Sequence, residues 1–276
     1  MPEVLNRPYK GNVKVVILDW AGTTMDFGCM APAVVFMDVF KKHRVPITME
    51  EARGPMGAHK RVHILKVSQN PAVAKRWEEV YGNPLDESDV DRMFADFIPM
   101  QLKVLAHYAD LIPGTLEAVA EFRRMGLKIG STTGYTSEMM EILYDEAKQR
   151  GYVPDSTVCA AEVPAGRPHP WMCLKNALIL AIYPMEAYVK VGDTLPDIYE
   201  GLNAGMWTVG LAMTGNEIGL MEDELNRLDP AKREAMRQRA YQRMEEAGAH
   251  YVVDSISDVP PLIEKINSRL AQGEKP

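Results

Sequence analysis

The chain has 276 residues, with 31 basic and 38 acidic side chains, a formal charge of −7, 46% apolar residues and 25% charged residues. These proportions fit a globular protein with a sizeable core and argue against disorder, collagen and coiled coil. The acidic balance also speaks against a nucleic-acid binder, which normally presents a basic face.

In chain order, Met1 to Asn12 is polar and lacks the apolar stretch of a signal peptide. No apolar run approaches the roughly 20 residues that span a bilayer. The three cysteines, Cys29, Cys159 and Cys173, are scattered and form no CxxC pair. Together these features lead us to expect a cytoplasmic protein with reduced thiols.

Val13 to Asp19 (VKVVILD) is β-branched, apolar on both faces and ends on an acid, the pattern of a buried parallel strand. Residues 28–106 then break the strand rhythm. They are rich in helix formers and charge, with apolar residues at helical spacing (Val34, Met37, Val39, Phe40), so a helical insertion is expected. Strands are predicted again at Leu127–Ser131, Tyr188–Val191 and Trp207–Leu211. Helices are predicted at Thr115–Met125, Thr136–Arg150, Pro170–Ile182 and Pro196–Ala204. Met221–Ala247 reads as charged and helical, and Tyr251–Leu270 as a last strand and closing helix. The alternation predicts an α/β fold, with a Rossmann-like parallel sheet (residues 1–27 and 107–276) carrying an inserted α-helical cap (28–106).

Ligands of open parallel sheets bind outside the carboxyl ends of the strands. Three polar clusters fall at such ends: Asp19 to Thr24, Ser131 to Gly134, and Gly192 to Asp197. Carboxylates there can hold a hard divalent cation, and hydroxyls with helix-start N–H groups can hold a phosphoryl group.

The strings DWAGTT (19–24), EEARGPMGAHK (50–60), GSTTGYTSEMM (130–140), VPAGRPHPWM (163–172) and KVGDTLPD (190–197) resemble the phosphonoacetaldehyde hydrolases (phosphonatases) of the haloacid dehalogenase superfamily. The match runs from Val13 to Gly219 and more loosely beyond. Most phosphatases of that superfamily carry a general-acid aspartate two residues after the nucleophile. Here that position is Ala21, as in the phosphonatases.

The resemblance implies hydrolysis of the P–C bond of phosphonoacetaldehyde to acetaldehyde and phosphate, in phosphonate catabolism. It assigns Asp19 as nucleophile and Lys60 as the Schiff-base amine. Thr133, Gly134, Arg167, His63, Met56 and Tyr135 are assigned to the substrate. One Mg²⁺ per subunit is assigned to Asp19, Asp193 and the Ala21 carbonyl. The chemistry is coherent, because a carbanion leaving group needs an electron sink, which an iminium ion supplies. Asp197 reads as a helix cap or a further acid of the site, and Cys29 as a buried neighbour. The family is dimeric, and the apolar spacing around Val34 to Phe40 suggests pairing of two caps; no nucleic acid or membrane partner is expected. Two alternatives stand beside this reading: a phosphate-monoester phosphatase of the same fold, and a non-catalytic phospho-ligand binder.

Overall fold

The computed structural model describes residues 8–276; residues 1–7, part of the polar N-terminal stretch, lie outside the described residues. Strand β1 (Val15–Leu18) has no exposed side chain, as its unbroken apolar sequence requires. It is followed by five helices: α1 (Met30–Lys42), α2 (Met49–Arg53), α3 (Lys60–Ser68), α4 (Pro71–Tyr81) and α5 (Glu87–Val104). Their starts are fixed locally. Thr48 with Glu51 and Asp86 with Asp89 form capping boxes on α2 and α5, and Asn70 caps α4 ahead of Pro71. Buried Asp26 caps α1 by accepting from the N–H groups of Met30 (2.9 Å) and Ala31 (3.0 Å).

The chain then alternates α6 (Thr115–Arg124), β2 (Lys128–Thr133), α7 (Ser137–Gln149), β3 (Ser156–Cys159), α8 (Trp171–Leu180), β4 (Tyr188–Gly192), α9 (Leu195–Asn203) and β5 (Trp207–Leu211). It closes with α10 (Glu222–Arg227), α11 (Pro230–Glu246), β6 (Tyr251–Val253) and α12 (Pro260–Ala271). The sheet is wholly parallel, in the order β3-β2-β1-β4-β5-β6. β1 is central, paired with β2 on one side and β4 on the other, so the crevice where connections diverge opens above its carboxyl end.

The sheet differs from the sequence reading at β3. The segment Ser156-Thr157-Val158-Cys159 carries one strongly apolar residue, so this edge strand, though largely buried, lacks the apolar run of the others. Among the described residues, the three cysteines are buried and free, and no helix is long and apolar enough to cross a membrane.

The helices between β1 and α6 have their own apolar centre at Phe36. Its ring stacks on Phe97 (centroids 4.5 Å) and on His63 (3.7 Å). Val35, Phe36, Val39 and Phe40 are at most 1% exposed, so most of the stripe expected to pair two caps packs inside its own protomer. Of the apolar residues on that stretch, Val34 and Met37 remain partly exposed. Truncation at Phe36→Ala is expected to cost about 3–5 kcal/mol of stability, read by urea unfolding followed through tryptophan emission.

Candidate active site

The turn after β1 brings Asp19 to the crevice, and the turn after β4 brings Asp193. Asp197 follows on the first turn of α9. Oxygens of the three carboxylates lie within 4.8 Å of one another, and all three residues are buried. Two glycines make room for Asp193. A Cβ on Gly22 or Gly215 would stand 2.2 or 2.1 Å from its Oδ2, and Gly22 also holds φ +80. Asp193 accepts from Thr23 Oγ1 (3.2 Å) and the Asn216 N–H (2.8 Å). Burial, with repulsion from Asp19 and Asp197, pushes its carboxyl well above the usual carboxylate range.

Such crowding suits a hard divalent cation, which relieves the repulsion through oxygen ligands. The acids do not contribute equally. Asp197 Oδ1 takes Lys190 Nζ (2.6 Å) and Arg167 Nη2 (3.1 Å), while its Oδ2 accepts from the Thr194 hydroxyl and N–H. Those cations hold Asp197 below its ordinary range against the effect of burial. Asp197 thus acts as helix cap and ion-pair partner together, whereas among the described residues no cation pairs with Asp193, and Asp19 lies with Ala21 on the pocket wall.

Arg167 comes from the loop before α8 and is 1% exposed at its side chain. Its Nη2 donates to Asp19 Oδ1 (2.6 Å), the Thr132 carbonyl (2.8 Å) and Thr132 Oγ1 (2.9 Å). Its Nε donates to Glu200 Oε2 (3.0 Å). Among the described residues no partner engages Nη1, and the residue lines the pocket, so this nitrogen is the one open to an oxyanion.

Lys60 is the first residue of α3 and is 4% exposed. Its ammonium lies over the Tyr135 ring (4.5 Å to the centroid), with the Phe36 ring at 5.9 Å. Burial pushes its pKa down, as does the Arg167 charge, against the pull of Cys29, Asp19 and Asp26. Lys60 shares one small pocket with Asp19, Ala21, Cys29, Met56, Gly57, Thr133, Gly134, Tyr135, Arg167 and Thr194. Its free volume is about 20 Å³, room for one water.

The seam above this pocket is made by glycines. A Cβ on Gly57 would meet Thr194 Oγ1 at 2.4 Å, and one on Gly134 would meet the Ala58 carbonyl at 2.8 Å. Thr133 Oγ1 accepts from the Tyr135 N–H (3.2 Å), setting the turn after β2.

His63 sits elsewhere. It is wholly buried, its Nε2 donates to the Ala52 carbonyl (2.7 Å) and its ring stacks on Phe36, away from the pocket lining. The structure does not bring it to the pocket with the other residues expected at the substrate. The periodicity of α3 accounts for this, since Lys60 and His63 are three residues apart and both face inward, but the shorter ring stops at the cap core. Thr23, Thr132, Lys190, Thr194, Glu200 and Asn216 were not singled out from sequence. Lys190, an ionisable side chain in the buried strand YVKVG, carried the clearest signal.

A family model for haloacid dehalogenase-like hydrolases matches residues 13–205. A phosphonoacetaldehyde hydrolase of Syntrophobacter fumaroxidans is 50% identical, covering 99% of both chains. One of Nitratidesulfovibrio vulgaris is 48% identical, covering all of this chain and 98% of its own. The crystal structure of a phosphonoacetaldehyde hydrolase-like protein from Oleispira antarctica superposes with a TM-score of 0.96 at 44% identity, covering 98% of each chain.

Replacing Asp193→Asn is expected to weaken divalent-cation binding at least about tenfold by calorimetry. In the wild type, Mg²⁺ at about 100 times its Kd should add about 2.7 kcal/mol of stability, and the variant should lose that thermal shift.

Proposed function

The chain belongs to the haloacid dehalogenase-like hydrolases and, among them, to the phosphonoacetaldehyde hydrolases, and on that premise we propose that it cleaves the C–P bond of phosphonoacetaldehyde, giving acetaldehyde and phosphate. The observation that carries this reading is the buried Lys60 amine, which shares one pocket with Asp19 and Arg167 while Ala21 stands where a general acid would be.

An alkoxide leaving group calls for a proton donor, and this floor offers none at position 21. A C–P bond calls instead for somewhere to put an electron pair. Lys60 attacks the aldehyde carbon as the neutral amine, and loss of water with uptake of one proton gives an iminium ion. An oxygen of Asp19 then bonds to phosphorus as the P–C bond breaks, and its electrons pass into the iminium to form an enamine. Protonation and hydrolysis of the enamine release acetaldehyde and restore Lys60. Water hydrolyses the aspartyl phosphate, restoring Asp19 and releasing phosphate.

Within this scheme Arg167 Nη1, Thr133 and the Gly134 backbone hold the phosphonyl oxygens, and Met56 and Tyr135 close around the aldehyde end. His63 supports the cap beneath Lys60. The burial and the Arg167 charge that depress the Lys60 pKa raise the fraction present as free amine at neutral pH. One Mg²⁺ per subunit, held by Asp19, Asp193 and the Ala21 carbonyl, would neutralise charge on the phosphonyl group when bound. Residues 28–106 form the cap on a core of residues 1–27 and 107–276. The free volume is too small for the substrate, so entry requires the cap to move. The enzyme acts in the cytoplasm as a homodimer through the cap, with Val34 and Met37 the stripe residues left for such a contact, and uses neither nucleic acid nor membrane.

Borohydride added with substrate should reduce an adduct onto Lys60, detectable by mass spectrometry. Lys60→Arg should abolish both the adduct and acetaldehyde release, and retained activity in that variant overturns the imine route. The rate should fall as pH drops through the Lys60 pKa, because protonation removes the attacking lone pair. The apparent pKa of this limb should lie below the ordinary lysine value of about 10.4. A monomer in light scattering at micromolar concentration would reject the dimer.

A further inference from the structure

Glu200 is the acid in this site to which the proposed chemistry gives no task. It lies one turn beyond Asp197 on α9 and has no exposed surface. Its Oε2 accepts from Arg167 Nε (3.0 Å) and Thr132 Oγ1 (3.0 Å), with Lys190 Nζ at 3.7 Å. Its Oε1 has no partner among the described residues. A buried carboxylate with an idle oxygen is costly to keep in a core, and space-filling alone would be served by an apolar residue.

The planar guanidinium explains its presence. The donors of Arg167 are fixed relative to one another, so gripping one edge decides where the rest points. Nη2 faces Asp19, Asp197 and Thr132, and Nε faces Glu200. That leaves Nη1 for the pocket. The grip also bears on Asp19, whose Oδ1 stands 2.6 Å from Nη2. An ion pair with the nucleophile withdraws the electrons it must offer to phosphorus, and each further acid that shares the Arg167 charge weakens that withdrawal. Glu200 does so without itself lining the pocket. Lys190, wholly buried on β4, lies between Asp197 (2.6 Å) and Glu200 (3.7 Å) and offsets their charges.

We propose that Glu200 is a positioning residue for Arg167. It orients the guanidinium so that Nη1 meets the phosphonate oxygens, and it divides the Arg167 charge so that Asp19 stays nucleophilic. The inference rests on Arg167 acting as an oxyanion clamp, and it is independent of the imine step.

The test uses the full-length Mg²⁺-loaded protein, inorganic phosphate as the probe, and the variants Glu200→Gln, Glu200→Asp and Glu200→Leu. Glu200→Gln keeps an acceptor but not the charge. Its kcat is expected to fall about 20-fold, while the inhibition constant of phosphate is unchanged or tighter and borohydride trapping on Lys60 stays at the wild-type level. Glu200→Asp should recover part of kcat. Glu200→Leu removes the acceptor as well and should weaken phosphate about tenfold.

A kcat within about twofold of wild type in Glu200→Gln overturns the charge-sharing role. Unchanged phosphate binding in Glu200→Leu overturns the orienting role. Parallel loss of kcat and phosphate binding in all three variants, with a melting temperature lower by about 10 °C, makes Glu200 a packing residue and overturns both. If wild type traps no imine yet Glu200→Gln still separates kcat from phosphate binding, the Schiff-base reading fails and the Glu200 role stands.

Discussion

Four carboxylates, those of Asp19, Asp193, Asp197 and Glu200, are buried around the carboxyl ends of β1 and β4, and the buried cations Arg167 and Lys190 hold that charge in place. Most of the architecture serves this concentration of charge. The parallel sheet aims two strand ends at one crevice, and α9 presents Asp197 and Glu200 one turn apart. Gly22 and Gly215 clear space that any side chain would fill. Two cations face four acids, and it is Asp193, repelled by Asp19 and Asp197, whose carboxyl is pushed up. Lys60 adds positive charge only when protonated, and burial works against that form. A divalent cation would relieve that repulsion.

The pocket divides its chemistry by layer. The floor is ionic and fixed by multiple hydrogen bonds, which suits a group that must present one oxygen to phosphorus. The roof is aromatic and apolar, with Lys60 against Tyr135 and the Phe36 cluster behind it. A dry roof favours the uncharged amine, and a charged floor favours the bound oxyanion. One solvent-filled cavity would level both effects. Chain order achieves the separation, because the roof is inserted directly after the strand that delivers the nucleophile.

Much of this was legible in the sequence. The strand-end clusters after β1, β2 and β4 lay where the fold places them, because parallel strands buried on both faces write continuous apolar runs and the polar residues that follow stand out. The helical character of residues 28–106 was readable from apolar spacing. Other features were hidden for physical reasons. β3 is a short edge strand with little apolar content. Glu200 resembles any helix acid until the fold turns it toward Arg167. His63 sits three residues from Lys60, and only packing shows that its ring ends at Ala52 and Phe36 while the longer lysine reaches the pocket. The apolar face of α1 was rightly identified as apolar, but a pattern alone does not say which surface will cover it.

Gly57 and Gly134 have a consequence beyond the pocket itself. At these two positions the contact of roof with floor runs through main-chain atoms and one hydroxyl, the Ala58 carbonyl against Gly134 and Gly57 against Thr194, whose own hydroxyl bonds Asp197, while Arg53 and Asn216 join the two elsewhere through side chains. The backbone part of that joint is insensitive to drift in the surrounding side chains. Outward-facing cap residues are free to diverge over evolutionary time, or to be redesigned for other aldehydes, as long as these two positions stay bare.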